Sequence, residues 1–191
     1  MRPRALLPLM LICGLLIVSV AASTLPRPSP EFNISLTGGK PVSLSQFKGK
    51  VVALAFILTY CPHCQKTIAV LGKQQAEYGP RGFQALGSAI EDMAASALPD
   101  FLKRFSPPFP IGYNARAPVL EFLQHPMAAR LIMPQLVFIG RDGLIQAQYA
   151  GDDPFFVEDQ QEKNMRQKIE ELLGQGEAPP GKGVPAGKKK G

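Results

Sequence analysis

A short cysteine motif between an apolar run and a helical pattern constrains this chain more than any other feature. Residues 51–58 (VVALAFIL) are all apolar, which is typical of a strand buried on both faces. Residues 65–78 then repeat apolar side chains at helical spacing. The motif at residues 61–64 (CPHC) lies between the two. The sequence therefore predicts two thiols at the point where a buried strand gives way to a helix.

The position of this motif favours redox chemistry. Backbone N–H groups and the helix dipole at a helix N-terminus stabilise negative charge, so they favour a thiolate at Cys61. The thiolate is the form of cysteine that attacks disulfides. Cys64 follows within the first helical turn, close enough to displace whatever Cys61 has captured. We therefore expect Cys61 to be the nucleophile and Cys64 the resolving thiol, and no cofactor or metal is expected.

Two metal-binding interpretations compete with the redox interpretation. A structural zinc site needs four ligands, and the sequence offers no second cysteine pair to complete one. Delivery of Cu(I) is the alternative function, because soft ligands bind that ion. The ligands available for it are Cys61, Cys64 and His125, with Met127 or Met133.

The N-terminal residues have the composition of an export signal. Arg2 and Arg4 precede the 18-residue apolar run 5–22, which ends in the small residues expected before a signal-peptidase cut. If the run stays uncleaved, it is about long enough to span a bilayer and tether the protein to the membrane. We predict that residues 1–22 are a signal peptide or membrane anchor and that the protein works in the periplasm or cell envelope.

The rest of the chain divides into three parts. Residues 23–30 are rich in proline and short polar side chains, which predicts an extended linker. Residues 31–173 are predicted to form one domain, and residues 174–191 a disordered basic tail of glycine, proline and lysine. Cys13 lies inside the N-terminal apolar run, so the exported part has no cysteines outside the CPHC motif and no disulfide framework.

The net charge of +6 does not indicate a nucleic-acid partner once it is divided among these parts. The N-terminal segment carries +2 and the C-terminal tail +3, which leaves the domain at +1. No stretch interleaves aromatic with basic residues, as single-strand binders do. Nucleic acid is therefore excluded as an expected partner.

Apolar periodicity and turn residues predict alternating strands and helices. The predicted elements are a hairpin of residues 32–36 and 40–44, strands 50–58, 83–90 and 109–113, helices 61–78, 95–105, 117–123 and 154–173, and a second hairpin of residues 135–139 and 144–149. The pair Asp152-Asp153 precedes Pro154, where Asp153 occupies the position of a helix N-cap.

This order, with CPHC at the first helix and Met133-Pro134 before a strand, resembles the thioredoxin fold. The resemblance is closest to the exported TlpA/ResA-type thiol-disulfide oxidoreductases and covers roughly residues 31–173. Its most specific segments are FKGKVVALAFILTYCPHC and IMPQLVFIGRDGLIQAQYAG. It implies an α/β fold in which helices flank a central mixed sheet, with an N-terminal β-hairpin.

The resemblance also implies roles for residues around the motif. Pro134 matches a cis-proline that faces the two cysteines, and Met133 before it is expected to present backbone groups to an extended substrate strand. Tyr60 occupies the place of a common tryptophan and is expected to flank the sulfur. The implied partners are exported protein thiols and disulfides, and a membrane or periplasmic redox partner.

Some positions depart from the family pattern. Ala55 replaces a buried acid of thioredoxins, and Thr67 replaces a glutamate of several reductive relatives, so the usual proton acceptor is missing and the direction of electron flow stays open. Leu58 stands where peroxiredoxins have Thr or Ser, which disfavours a peroxidase. The Pro62-His63 dipeptide is shared with DsbA-type oxidants, and a charged His63 is expected to stabilise the Cys61 thiolate.

Overall fold

The computed structural model describes residues 24–174. The predicted signal peptide or anchor at residues 1–22, and the predicted basic tail apart from its first residue, lie outside this range. Within the described range, no helix has the length and apolar character needed to cross a membrane.

Eight short strands alternate with four helices and three 3-10 turns along the described chain. The strands are β1 (Arg27–Pro28), β2 (Asn33–Ile34), β3 (Val42–Ser43), β4 (Val51–Ile57), β5 (Phe83–Ala89), β6 (Ile111–Tyr113), β7 (Gln135–Ile139) and β8 (Leu144–Tyr149). The helices are α1 (Pro62–Tyr78), α2 (Ala94–Phe105), α3 (Arg116–Leu123) and α4 (Gln161–Gly174).

Six of the strands form one mixed sheet in the order β1-β8-β7-β4-β5-β6. β4, β5 and β6 run parallel, whereas β7 is antiparallel to β4 and β8 is antiparallel to β7. The remaining strands, β2 and β3, form the predicted N-terminal hairpin, although with only two residues in each strand. The predicted α/β thioredoxin-like fold with a central mixed sheet is confirmed.

The apolar run of β4 is explained by the two cores that it separates. All seven of its residues are at most 3% exposed. Val51, Ala53, Ala55 and Ile57 face a core shared with α1, α2 and α4. Alternate residues, such as Phe56, face a second core formed with α3 and the hairpin. Because both faces of β4 are covered, apolar side chains occupy all seven of its positions.

The predicted linker at residues 23–30 is not a free tether, since β1 lies within it. Arg27 and Pro28 pair with the start of β8, and the Arg27 side chain is only 8% exposed. Its guanidinium donates to the carbonyl of Phe122 at 2.7 Å and to the side-chain oxygen of Gln148 at 3.3 Å. The linker interpretation was wrong at these residues, because a two-residue edge strand has no periodicity that composition could reveal.

The predicted helix at residues 154–173 is also broken in two. Pro154–Phe156 forms a 3-10 turn, and α4 begins only at Gln161. Asp153 caps the turn, its side chain accepting from the N–H of Phe155 at 2.8 Å, which confirms its predicted structural role. The chain then leaves the turn through the extended backbone of Val157, so the first helical turns are lost.

A buried hydrogen bond ties α1 to α4. The Thr67 hydroxyl accepts from the side-chain amide of Gln161 at 2.7 Å and donates to the carbonyl of His63 at 2.9 Å. Thr67 is fully buried and Gln161 is 2% exposed. Thr67 therefore has a structural use, because its hydroxyl joins α1 to α4.

Thr67→Val keeps the side-chain volume but leaves the buried amide of Gln161 without this acceptor. We expect the free energy of unfolding to fall by about 1–3 kcal/mol, measured by urea denaturation. Adding Gln161→Met to this variant removes the unpaired amide, so the double variant should recover part of the loss. If the loss of unfolding free energy in the double variant equals the sum of the losses in Thr67→Val and Gln161→Met, this account is contradicted.

Candidate active site

The CPHC motif lies at the junction of β4 and α1, as predicted. Cys61 is the N-cap of α1 and Pro62 its first residue, where a fixed φ and a missing N–H suit a helix start. The N–H of Cys61 donates to the carbonyl of Leu58 at 3.1 Å, and its own carbonyl accepts from Gln65 at 3.0 Å. These bonds fix Cys61 at the carboxyl end of β4.

The two cysteines are free thiols in very different surroundings. Cys61 is partly exposed, whereas Cys64 is completely buried. The N–H of Leu58 donates to the sulfur of Cys64 at 3.5 Å. Burial raises the pKa of the Cys64 thiol far above its ordinary value, and neighbouring Cys61 and Glu91 raise it further against the opposing effect of Leu58. One thiol is thus available to a partner, while the other is held protonated beneath it.

Glu91 contacts the loop before Cys61, and sequence reasoning did not find it. It follows β5, whose last residue Ala89 pairs with Ile57 at the end of β4. One oxygen of Glu91 accepts from both the backbone N–H of Thr59, at 3.0 Å, and the Thr59 hydroxyl. Gln65 donates to the carbonyl of Thr59 at 2.8 Å. The only signal in the sequence was indirect, since neighbouring parallel strands end at the same edge of a sheet.

Met133 and Pro134 lie at the same edge of the sheet as the cysteines. β7 starts directly after Pro134, and its first residue Gln135 pairs with Phe56 near the end of β4. The Met133-Pro134 peptide bond is cis. Pro134 is buried, while Met133 is partly buried and packs against both cores. The sheet register thus brings the predicted proline loop to the end of β4 from which the CPHC motif continues.

Gly151 leaves room for this proline loop. Its N–H donates to the carbonyl of Ile132 at 3.1 Å. A side-chain carbon added at Gly151 would overlap the backbone carbonyl of Met133 and crowd the nitrogen of Pro134. Glycine is therefore required here by a close approach of two backbone segments.

The remaining predicted residues lie around the motif on the surface. Tyr60 is 69% exposed. His63 is exposed on the first turn of α1 and borders a surface cavity of about 310 Å³ with Lys66, Phe156 and Val157. A role for His63 in stabilising the Cys61 thiolate stays a prediction.

The ligands proposed for Cu(I) do not form an evident site. The backbone N–H of His125 donates to Leu120 at the end of α3, and its ring nitrogen Nδ1 lies 3.0 Å from the carbonyl of Pro126. Met127 is 70% exposed. Within residues 24–174, no three histidine, cysteine or acidic side chains are grouped as metal ligands would be. The copper alternative is therefore not favoured.

Comparison with known proteins identifies relatives among thiol-disulfide oxidoreductases. The Redoxin family profile matches residues 26–169. Thiol-disulfide oxidoreductase ResA of Bacillus thuringiensis subsp. konkukian is 23% identical over 126 residues, which cover 66% of this chain and 69% of ResA. ResA of Bacillus subtilis is 28% identical over 93 residues, or 49% of this chain and 51% of ResA.

A solved structure also shares the fold. The putative thiol:disulfide interchange protein DsbE of Chlorobium tepidum superposes with a TM-score of 0.65 at 22% identity, over 78% of this chain and 96% of that one. The profile match, the ResA relatives and the CPHC geometry agree with one another. The chain belongs to the Redoxin family, as a thiol-disulfide oxidoreductase of the ResA/TlpA type.

Proposed function

We propose that this oxidoreductase exchanges disulfides with exported proteins through Cys61 and Cys64. The observation that carries the proposal is the unequal burial of the two free thiols at one helix N-terminus. Cys61 is accessible to a partner, and Cys64 is fully buried three residues later on the same helical turn. This is the arrangement expected of an attacking thiol and a resolving thiol.

The exchange proceeds in two steps. The Cys61 thiolate attacks one sulfur of a partner disulfide, which forms a mixed disulfide and releases the other partner sulfur as a thiolate. Cys64 then loses its proton and attacks the sulfur of Cys61, so that a Cys61–Cys64 disulfide forms and the second partner thiol departs. Two electrons pass from the chain to the partner, and the reverse sequence donates a disulfide.

Tyr60, Met133 and Pro134 are proposed to receive the partner polypeptide. Tyr60 is exposed directly before Cys61, and the backbone of Met133 lies at the same edge of the sheet. An extended segment that pairs with this backbone would bring its own cysteine to Cys61.

The proposed site of action is the periplasm or cell envelope. The support is the pattern of residues 1–22, in which arginines precede an apolar run, whether that segment is removed or retained as a tether. A membrane or periplasmic redox partner would reset the cysteine pair. The near-neutral charge of the domain gives no support to a nucleic-acid partner.

Cys64→Ser tests the proposed division of labour. The first attack survives in this variant while resolution does not, so mixed disulfides should accumulate on Cys61. The adducts are detected as dithiothreitol-sensitive species after acid trapping and alkylation. Cys61→Ser is the matched control and should form none. If the Cys64→Ser protein isolated from its own compartment carries no such adducts, the proposed exchange with exported proteins is wrong.

Gly151→Ala tests the role of the proline loop. The added methyl group must displace the Met133 carbonyl, so the free energy of unfolding should fall by about 1–3 kcal/mol and reaction with a protein disulfide should slow. Gly39→Ala is the control, because a side chain there makes only ordinary contact with Leu36. Equal stability and equal rates in the two variants would show that the loop tolerates the displacement.

His63→Pro tests whether the histidine makes the disulfide more oxidising. A positive imidazole beside the Cys61 thiolate would stabilise the reduced state, and about 1.4 kcal/mol of such stabilisation corresponds to roughly 30 mV. We expect a potential above roughly −200 mV for the unmutated protein and a decrease of roughly 30 mV or more in the variant, measured by equilibration with glutathione. His125→Gln should leave the potential unchanged. A potential near the thioredoxin value of about −270 mV that His63→Pro does not alter would exclude His63 from the mechanism.

A further inference from the structure

The buried thiol of Cys64 needs a proton acceptor before it can resolve a mixed disulfide. The thiolate is the attacking species, and burial disfavours that form at Cys64. Ala55 has no group that could accept a proton, and the Thr67 hydroxyl is committed to His63 and Gln161. Neither of these two positions therefore supplies the acceptor, and another side chain of the site is the candidate. This inference rests on the proposed disulfide exchange.

Glu91 has the geometry of an oriented base. Its first carboxylate oxygen is anchored by the backbone N–H and hydroxyl of Thr59. Its second oxygen is buried and has no hydrogen-bond partner among residues 24–174. Buried polar atoms in folded proteins are nearly always paired, and a catalytic role is one recognised explanation for an unpaired one. One oxygen is thus held in place while the other remains free to take a proton.

Two adjacent residues, Leu58 and Thr59, contact Cys64 and Glu91 respectively. Thr59 follows Leu58, whose N–H donates to the sulfur of Cys64. The negative charge of Glu91 also acts on Cys64, where it raises the pKa of the thiol. Cys61 is itself bonded to the partner sulfur at the moment of resolution, so it cannot take the proton, whereas Glu91 keeps its carboxylate.

We propose that Glu91 accepts the proton of Cys64, directly or through one water molecule, as Cys64 attacks the mixed disulfide. The electron pair of the Cys64 sulfur forms the bond to Cys61, and the bond between Cys61 and the partner sulfur breaks with its electrons leaving on the partner. The proton held by Glu91 then passes to the departing thiolate or to solvent. Glu91 from the β5 loop replaces the acids absent at Ala55 and Thr67.

The two steps can be timed separately with 5,5′-dithiobis(2-nitrobenzoate) and the reduced, full-length protein in which Cys13 is replaced by serine, so that Cys61 and Cys64 are its only thiols. This Cys13→Ser protein serves as the unmutated reference for the variants below. Attack by Cys61 releases one coloured thiolate and leaves a mixed disulfide with the other half of the reagent. Resolution by Cys64 then releases the second thiolate. A stopped-flow trace therefore gives one rate for Cys61 and one for Cys64.

Glu91→Gln removes the base but keeps an amide oxygen to accept from Thr59. We expect the second release to slow by about 100-fold near neutral pH, with the first release changed less than about twofold. The difference from the unmutated protein should shrink as pH rises, because hydroxide then removes the proton. Asp92→Asn, which removes an exposed neighbouring carboxylate, is the matched control and should leave both rates unchanged.

Two further variants separate proton transfer from support of the loop. Glu91→Asp retains a carboxylate and should slow the second release less than Glu91→Gln. If the glutamine variant does not fold, the aspartate variant should still slow the second release without slowing the first. Thr59→Val removes one anchoring bond but keeps the base, and its second release should be slowed far less than that of Glu91→Gln.

Several results would overturn the inference. The first is an unchanged rate of second release in Glu91→Gln, or in Glu91→Asp if only that variant folds. The second is equal slowing of the first and second releases. The third is a Thr59→Val variant whose second release is as slow as that of Glu91→Gln. Failure of the proposed exchange would look different, because the unmutated protein itself would then release fewer than two thiolates. In that case both the proposed exchange and the proposed role of Glu91 are wrong.

Discussion

Burial of β4 on both faces is the constraint on which the rest of the structure depends. A strand covered by helices on one side and by the hairpin and α3 on the other must pair along both edges, and β5 and β7 fill those positions. The register of the two pairings then fixes what lies at its carboxyl end. Ile57 opposite Ala89 brings in the Glu91 loop, and Phe56 opposite Gln135 brings in the Met133-Pro134 loop.

Elements with strong local patterns could be predicted from the sequence. The central strand, the first helix and the β7–β8 hairpin were found within a residue or two, because each combines apolar periodicity with clear turn or start signals. The last helix was predicted too long, because a proline followed by apolar residues suits a helix start as well as a 3-10 turn. β1 was missed because its order comes from pairing with β8, which is a distant part of the chain.

The residues of the candidate site also divide into those with a local sequence signal and those placed by distant pairing. Cys61, Cys64 and Pro134 stand in short motifs whose residue types and spacing predict a redox site. Glu91 does not, since nothing near it in sequence distinguishes it from any acid at the end of a strand. Its place at the candidate site is set by the parallel pairing of β4 and β5, which brings it against Thr59. The site thus has a carboxylate from the segment after β5, whereas Ala55 and Thr67 supply none.

The proline-rich composition that resembled a linker has another consequence at the edge of the sheet. Pro26, Pro28 and Pro30 alternate with Arg27 and Ser29 in and beside β1. The N–H of Ser29 points inward and donates to the carbonyl of Gly143 at 3.0 Å. Successive N–H groups of a strand point to opposite sides, so the outward positions are the ones occupied by proline. A strand of another chain that approached this edge would therefore find no backbone N–H groups at the three proline positions to pair with. β1 therefore completes the sheet and at the same time protects its exposed border from aggregation.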